Sequence, residues 1–238
     1  MYQDQTPPPF RGYTSAAQVV ETTSNAMKRV YLKMTLGLLV TALISMFCAG
    51  SHGIMMFMAT NSIFFWGLFI AEIVLVIAIS GGINKMSSTT ATLLFYLFAA
   101  VNGVALAPIF LVYTMTSIAK TFFICAGTFG AMSVYGYFTT RDLTKWGNFL
   151  IYALFGLIIA SVVNIFTKSS GLEWIISIAG VLIFIGLTAW DTQKIKQMAQ
   201  YTPSDRIGHL ATIGALSLYL DFINLFLYLL RFFGNSRD

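Results

Sequence analysis

Three acidic residues stand inside apolar stretches of this 238-residue chain, and they are its best candidates for chemistry. Glu72 lies in FWGLFIAEIVLVIAIS, Asp191 in IGLTAWDTQKIK and Asp221 in LSLYLDFINLFLYLL. A charged residue at the centre of a bilayer costs about 3 kcal/mol on insertion scales, so it usually faces a partner or a water-filled cavity. We therefore interpret Glu72 and Asp221 as functional residues, whereas Asp191 by itself is also typical of a solvated helix end.

Asp221 belongs to a polar stripe in the last apolar stretch, whose opposite face is Leu, Ile and Phe. A spacing of three and four residues places the members on one face of a helix. Such a polar stripe cannot face lipid. The stripe therefore predicts that the last helix lies at the centre of a bundle. We expect Ser217 and Asn224 to hydrogen-bond the Asp221 carboxylate or help it hold a cation, with Tyr228 as a further pore or gate residue. The stripe comprises Gly214, Ser217, Asp221, Asn224, Tyr228 and Arg231.

Asp191 and Asp221 could meet if the sixth helix continues through TQKIK and runs beside the seventh. Two carboxylates within hydrogen-bonding reach share one proton more easily than they tolerate two charges. Such a pair would sense protons. Once ionised, its hard oxygen atoms would attract Ca²⁺, and we predict Asp191, Asp221 and Glu72 as calcium ligands.

The elements that must position these residues are membrane-spanning helices. The chain is 57% hydrophobic and 10% charged, with a mean hydropathy of +0.77, against about 25% charged residues in an average soluble domain. We predict an all-α, polytopic membrane protein with a flexible cytoplasmic tail at 1–28, which lacks a signal-peptide pattern, and a seven-span domain at 29–238. Its apolar runs are 30–50, 61–82, 89–114, 117–139, 147–167, 172–191 and 210–233.

The Lys and Arg residues are scattered between the apolar runs, which favours loop charges over a nucleic-acid surface. If the last run spans the membrane, ten of them fall on the side of the N-terminus and four on the other side, so we predict a cytoplasmic N-terminus. The charge bias slightly favours a last run that turns back, whereas its length favours spanning. Within the spans, Gly127, Gly130 and Gly136 are expected to let neighbouring helices pack closely.

Four stretches resemble one family over nearly the whole chain from about residue 28. GLTAWDTQKI at 186–195 and LSLYLDFINLFLYLLRFFG at 216–234 resemble the paired signature of the transmembrane Bax inhibitor motif family, and NGVALAPIF at 102–110 resembles its third-span motif. GAMSVYGYFTTRDLTKWGN at 130–148 is similar to bacterial members in particular, which implies the inner (plasma) membrane.

The resemblance implies a seven-helix fold with a central last helix and a pH-sensitive calcium leak. It places the family's aspartate dyad at Asp191 and Asp221 and the acidic residue of the second span at Glu72. Some relatives carry an arginine about three turns after that glutamate. Ile83 and Asn84 stand there in this chain, so the resemblance does not imply a second-span salt bridge to the dyad.

We therefore predict a cation leak whose opening depends on protonation of the two aspartates, with calcium ions and protons as its small partners in the lipid bilayer. Two alternatives stay open: a membrane-embedded regulator that contacts a protease or stress-pathway protein, and a proton-coupled cation antiporter. An enzyme is not expected, because His52 lies in the first outer loop, His209 lies at the start of the seventh run, and no GxSxG or HExxH occurs. No cofactor and no nucleic acid are expected either.

Overall fold

The computed structural model describes residues 16–235, which form nine α helices. Seven segments of this part of the chain are long and apolar enough to cross a membrane, as the sequence predicts. The short helices α2 and α5 lie at the ends of spans. The helices are α1 (Ala16–Gly50), α2 (His52–Thr60), α3 (Ser62–Gly82), α4 (Ser88–Leu106), α5 (Ile109–Val112), α6 (Met115–Phe138), α7 (Thr144–Thr167), α8 (Ser170–Tyr201) and α9 (Ile207–Phe233).

Two helices extend well beyond their apolar runs. Helix α1 already begins at Ala16, so the predicted boundary at residue 28 falls inside a helix, and residues 1–15 of the predicted tail lie outside the described residues. Helix α8 continues past Asp191 to Tyr201. Polar residues in both extensions are no obstacle, because a helix satisfies its own backbone groups inside and outside the bilayer.

The last helix runs the whole length of the bundle. At its start, Arg206 Nη1 donates to Asn84 Oδ1 at 3.1 Å, in the turn after α3. At its end, the Asn235 amide donates to Ser117 Oγ at 2.8 Å, in the first turn of α6. Since these contacts lie at opposite ends of the bundle, α9 spans the bundle and does not turn back.

Helix α9 is also the centre of the bundle, as its polar stripe predicts. It packs against α8, α1, α6 and α4, and most of its side chains are buried. Helices α3 and α7 are peripheral: α3 packs mainly on α4 and α7 on α8, and each exposes most of its surface. Apolar exposure of this kind is expected of helices that face lipid.

Candidate functional site

Asp221 lies deep in the central helix, about 21 Å along α9 from Ile207 at 1.5 Å per residue. It is 4% exposed, and its Oδ2 atom is buried without a hydrogen-bond partner within residues 16–235. Almost all buried polar atoms in proteins are hydrogen-bonded, and an unpaired one costs about 1–3 kcal/mol. Asp221 Oδ2 is therefore an exception to this rule within the described residues.

Asp191 lies on the neighbouring helix α8. The TQKIK segment after Asp191 is helical, as a meeting of the two residues requires. Asp191 therefore lies about 15 Å along α8 from its last residue, Tyr201. The two carboxylates interact electrostatically across the α8–α9 contact, and Asp191 also interacts with Lys194. The two residues therefore lie near enough to influence each other, with Asp221 buried and Asp191 half-buried, but no hydrogen bond joins the two carboxylates within residues 16–235.

The part of α8 that carries Asp191 is held on two sides by close glycine contacts. A Cβ atom on Gly136 would clash with the Ala189 backbone, so only glycine lets α6 approach α8 this closely. A Cβ atom on Gly147 would clash with the Trp190 ring, which lies between α7 and α8. These contacts fix the depth and rotation of the turn that ends in Asp191.

The Gln193 side chain links the α6–α7 loop to the same turn of α8 through two hydrogen bonds. The Gln193 amide donates to the Arg141 carbonyl at 2.8 Å, and its oxygen accepts from the Leu143 amide at 2.9 Å. In this loop, hydrogen bonds with the Thr144 side chain and backbone lower the pKa of Asp142. Asp142 therefore stays ionised at neutral pH and is an unsuitable proton sensor in that range.

The other residues of the predicted stripe do not support the Asp221 carboxylate as expected. Asn224 Nδ2 donates to the Leu220 carbonyl at 2.8 Å, so the predicted hydrogen bond to Asp221 is wrong, whereas a part in holding a cation stays a prediction. Within the described residues, Ser217 shows no hydrogen bond to Asp221 either. Tyr228 stacks on Phe184 at 5.9 Å and packs on Gly180, which makes it a packing residue between α8 and α9. Short polar side chains in a helix often hydrogen-bond to the backbone of their own helix. Because Asn224 does so, it leaves Asp221 Oδ2 without a hydrogen-bond partner.

Glu72 does not join the aspartate pair. Its Oε1 atom accepts from Asn102 Nδ2 at 2.9 Å, across the α3–α4 contact. No group of three His, Cys, Asp or Glu side chains that could hold a metal ion occurs within residues 16–235. The prediction of one calcium site from all three carboxylates is therefore wrong, and Asp191 and Asp221 remain as candidate ligands.

Glu72 is instead the end of a hydrogen-bonded chain that leads to the central helix. Tyr219 OH donates to Asn102 Oδ1 at 3.1 Å and lies 2.6 Å from Thr41 Oγ1. Thr41 in turn donates to the Ala99 carbonyl at 2.8 Å. The chain joins α3, α4, α9 and α1, and it reaches α9 at Tyr219, two residues before Asp221.

Lys33 is a second polar centre, which the sequence alone does not reveal because a basic residue near the start of the first apolar run is typical of a charge that orients the span. Its ammonium group donates to Thr92 Oγ1 at 2.8 Å, Thr212 Oγ1 at 2.7 Å and the Gly208 carbonyl at 3.2 Å. All three donors are used, so Lys33 ties α1 and α4 to the first turns of α9.

Comparison with known proteins agrees with this architecture. The family model described as "Inhibitor of apoptosis-promoting Bax1" matches residues 23–238. The chain belongs to this family. The match includes all seven spans, both aspartates and Glu72, so the resemblance noted from four short stretches is confirmed.

The chain is similar to several bacterial proteins, two of which are described as membrane proteins. The chain is 50% identical over 214 residues to the inner membrane protein YbhL of Escherichia coli K12, covering 89% of this chain and 92% of the relative. It is 48% identical over 227 residues to a protein of Borreliella burgdorferi, covering 94% and 98%. An uncharacterized membrane protein of Streptococcus pyogenes is 35% identical over 210 residues, covering 87% and 91%.

Proposed function

We propose that this protein is a pH-sensitive leak for calcium and other cations in the bacterial inner membrane, gated by Asp191 and Asp221. The observation that carries the proposal is Asp221 itself: a buried carboxylate with an unpaired oxygen, beside a second carboxylate, in the central helix of seven. The proposal involves no bond-making chemistry and no cofactor, so we propose no enzymatic activity.

Protonation of the pair supplies the free energy that a gate needs. Two ionised carboxylates repel each other strongly away from water, whereas a singly protonated pair shares a proton and holds the helices together. A change of proton occupancy therefore alters the free energy of the α8–α9 contact, which can bias closed and open arrangements. The ionised pair also offers the oxygen ligands that Ca²⁺ prefers.

Glu72 has a supporting part in this proposal. Its hydrogen-bonded chain through Asn102 ends at Tyr219, so a shift of α9 must either carry Asn102 with it or break the Tyr219 contact. We propose that the chain holds α9 in the closed arrangement and couples it to the peripheral helix α3.

Calcium flux into liposomes that hold the purified protein and an enclosed calcium indicator tests the gate. The flux is measured from pH 5 to pH 8 for wild type, Asp191→Asn and Asp221→Asn. Because asparagine resembles a protonated aspartate, we expect both variants to lose the pH response and to resemble wild type at low pH throughout. Asp205→Asn, which removes an exposed carboxylate, should keep the wild-type response.

Three other results would each reject the leak or its gate. Absence of flux in wild type would reject a leak, and a flux that requires an opposing proton gradient would identify an antiporter. Unchanged pH dependence in both aspartate variants would reject the gate. Retention of cellular function by both variants, together with a co-purifying membrane protein, would favour a contact regulator.

A further inference from the structure

An open groove lies between the peripheral helices α3 and α7, on the half of the bundle that contains the end of α9. It encloses about 870 Å³, which is within the usual range of about 300–1,000 Å³ for ligand pockets. The groove exists because α3 packs on α4 while α7 packs on α8, which leaves the space between them unfilled. Nothing in the proposed leak requires a groove here.

The inner part of the groove is mostly apolar, with Ser161 and Tyr228 as polar side chains, and it is one membrane leaflet deep. Phe69 and Ile73 line it on α3, and Ile158, Val162 and Ile165 line it on α7. From Lys168, at the end of α7, back to Ile158 the helix rises about 15 Å. That is half of the roughly 30 Å hydrocarbon core, the depth that one acyl chain occupies.

The mouth of the groove carries charges of both signs. Lys168 and Arg231 provide two cations and Glu173 one anion, all on exposed side chains at helix ends. A smaller cavity of about 340 Å³ adjoins the mouth and shares Glu173 and Arg231 with the groove. Trp174 lines this cavity, and tryptophan is enriched at the level of lipid headgroups.

We propose that this groove binds one phospholipid with a zwitterionic phosphoethanolamine headgroup. The phosphate lies between Arg231 and Lys168, because a guanidinium group pairs well with phosphate oxygens. The ammonium group of the headgroup lies at Glu173, and one acyl chain fills the space between α3 and α7. An anionic headgroup without an amine fits less well, since it leaves Glu173 unpaired and beside a phosphate.

Native mass spectrometry of the full chain in detergent tests this site by titration with two lipids of identical acyl chains. We expect one phosphatidylethanolamine per chain, bound about fivefold more tightly than phosphatidylglycerol, the difference expected for one exposed charge contact. Equal or tighter binding of phosphatidylglycerol would overturn the headgroup assignment. If free phosphoethanolamine at equal concentration displaced the bound lipid, the ligand would be a soluble molecule and the assignment of a lipid would be overturned.

Three variants test the headgroup contacts. Glu173→Gln should remove the preference between the lipids, and Arg231→Gln should weaken both about fivefold. Lys120→Gln, an exposed cation at the same end of the bundle but outside the groove, should change neither.

The groove itself is tested by filling it. Ile158→Trp should block both lipids, whereas Phe155→Trp, on an exposed part of α7 outside the groove, should not. Ile158 is exposed in the described structure, so its replacement leaves the bundle core intact. Unchanged binding in Glu173→Gln and Ile158→Trp would overturn the site.

Discussion

At the scale of single residues, two polar groups of one turn of α9 have opposite environments. Tyr219 is 0% exposed, and its hydroxyl contacts both Asn102 and Thr41. Asp221 is almost as buried, yet one carboxylate oxygen has no partner in the described part of the chain. A satisfied hydroxyl stabilises the packing of α9, and an unsatisfied carboxylate responds to protons or cations. The same helix therefore carries a hydrogen-bonded anchor and the carboxylate to which the proposed function assigns the gate.

Tyr219→Phe tests the anchor. It keeps the ring, which packs edge-on against Phe95 and Phe98, and removes only the hydroxyl. We expect a loss of about 0.5–2 kcal/mol in the free energy of unfolding, the range measured for hydrogen bonds between membrane helices. Thermal unfolding in detergent measures the loss, and Tyr152→Phe, where the side chain is 75% exposed, provides the control. An unchanged midpoint for Tyr219→Phe would show that the hydroxyl contributes nothing to packing.

The sequence alone draws attention to Asp191 and Asp221, because a carboxylate in an apolar helix is conspicuous. It does not predict the partners of Glu72, because Asn102 and Tyr219 are ordinary residues whose meeting depends on the rotation of two separate helices. Asn224 is a second residue whose hydrogen-bond partner the sequence does not predict. Its position one turn from Asp221 is readable from the sequence, but its choice of the Leu220 carbonyl depends on rotamer geometry.

At the scale of elements, the contact of α6 with α8 determines where Asp191 lies. Three glycines of α6 are equally plausible packing residues in the sequence. Only Gly136 serves this contact: a Cβ atom on Gly127 or Gly130 would meet no neighbouring atom within 4 Å. Spacing along one helix cannot reveal which face meets a neighbour when all faces are apolar, and that explains why the sequence did not distinguish them.

Gly136→Ala and Gly130→Ala form a matched pair on this helix. The first inserts a methyl group against the Ala189 backbone, which cannot move aside cheaply, so we expect about 1–3 kcal/mol of destabilisation. The second fills open space and replaces glycine in a helix, so we expect up to about 1 kcal/mol of stabilisation. Unfolding midpoints of the two variants should move in opposite directions. Similar shifts for both would contradict the close approach of α6 to α8.

At the scale of the whole molecule, the bundle has one end rich in Lys and Arg and one end poor in them. The rich end contains the start of α1, the turn after α3, the α6–α7 loop and the start of α9. The poor end contains α2, α5 and the end of α9. Positively charged loops stay in the cytoplasm, so the rich end should face inward. This orientation would also place the proposed lipid groove in the outer leaflet.

Cysteine labelling of intact cells tests this orientation with chemically small changes. Ser62→Cys and Asn235→Cys place exposed thiols at the poor end, and Ser204→Cys places one at the rich end. A membrane-impermeant maleimide should label the first two in intact cells, and Ser204→Cys only after the membrane is permeabilised. The native Cys48 and Cys125 are buried and should give little background. Labelling of Ser204→Cys alone in intact cells would show that the topology is the reverse of the one predicted. The three positions must change sides together, because α9 connects the two ends without turning back.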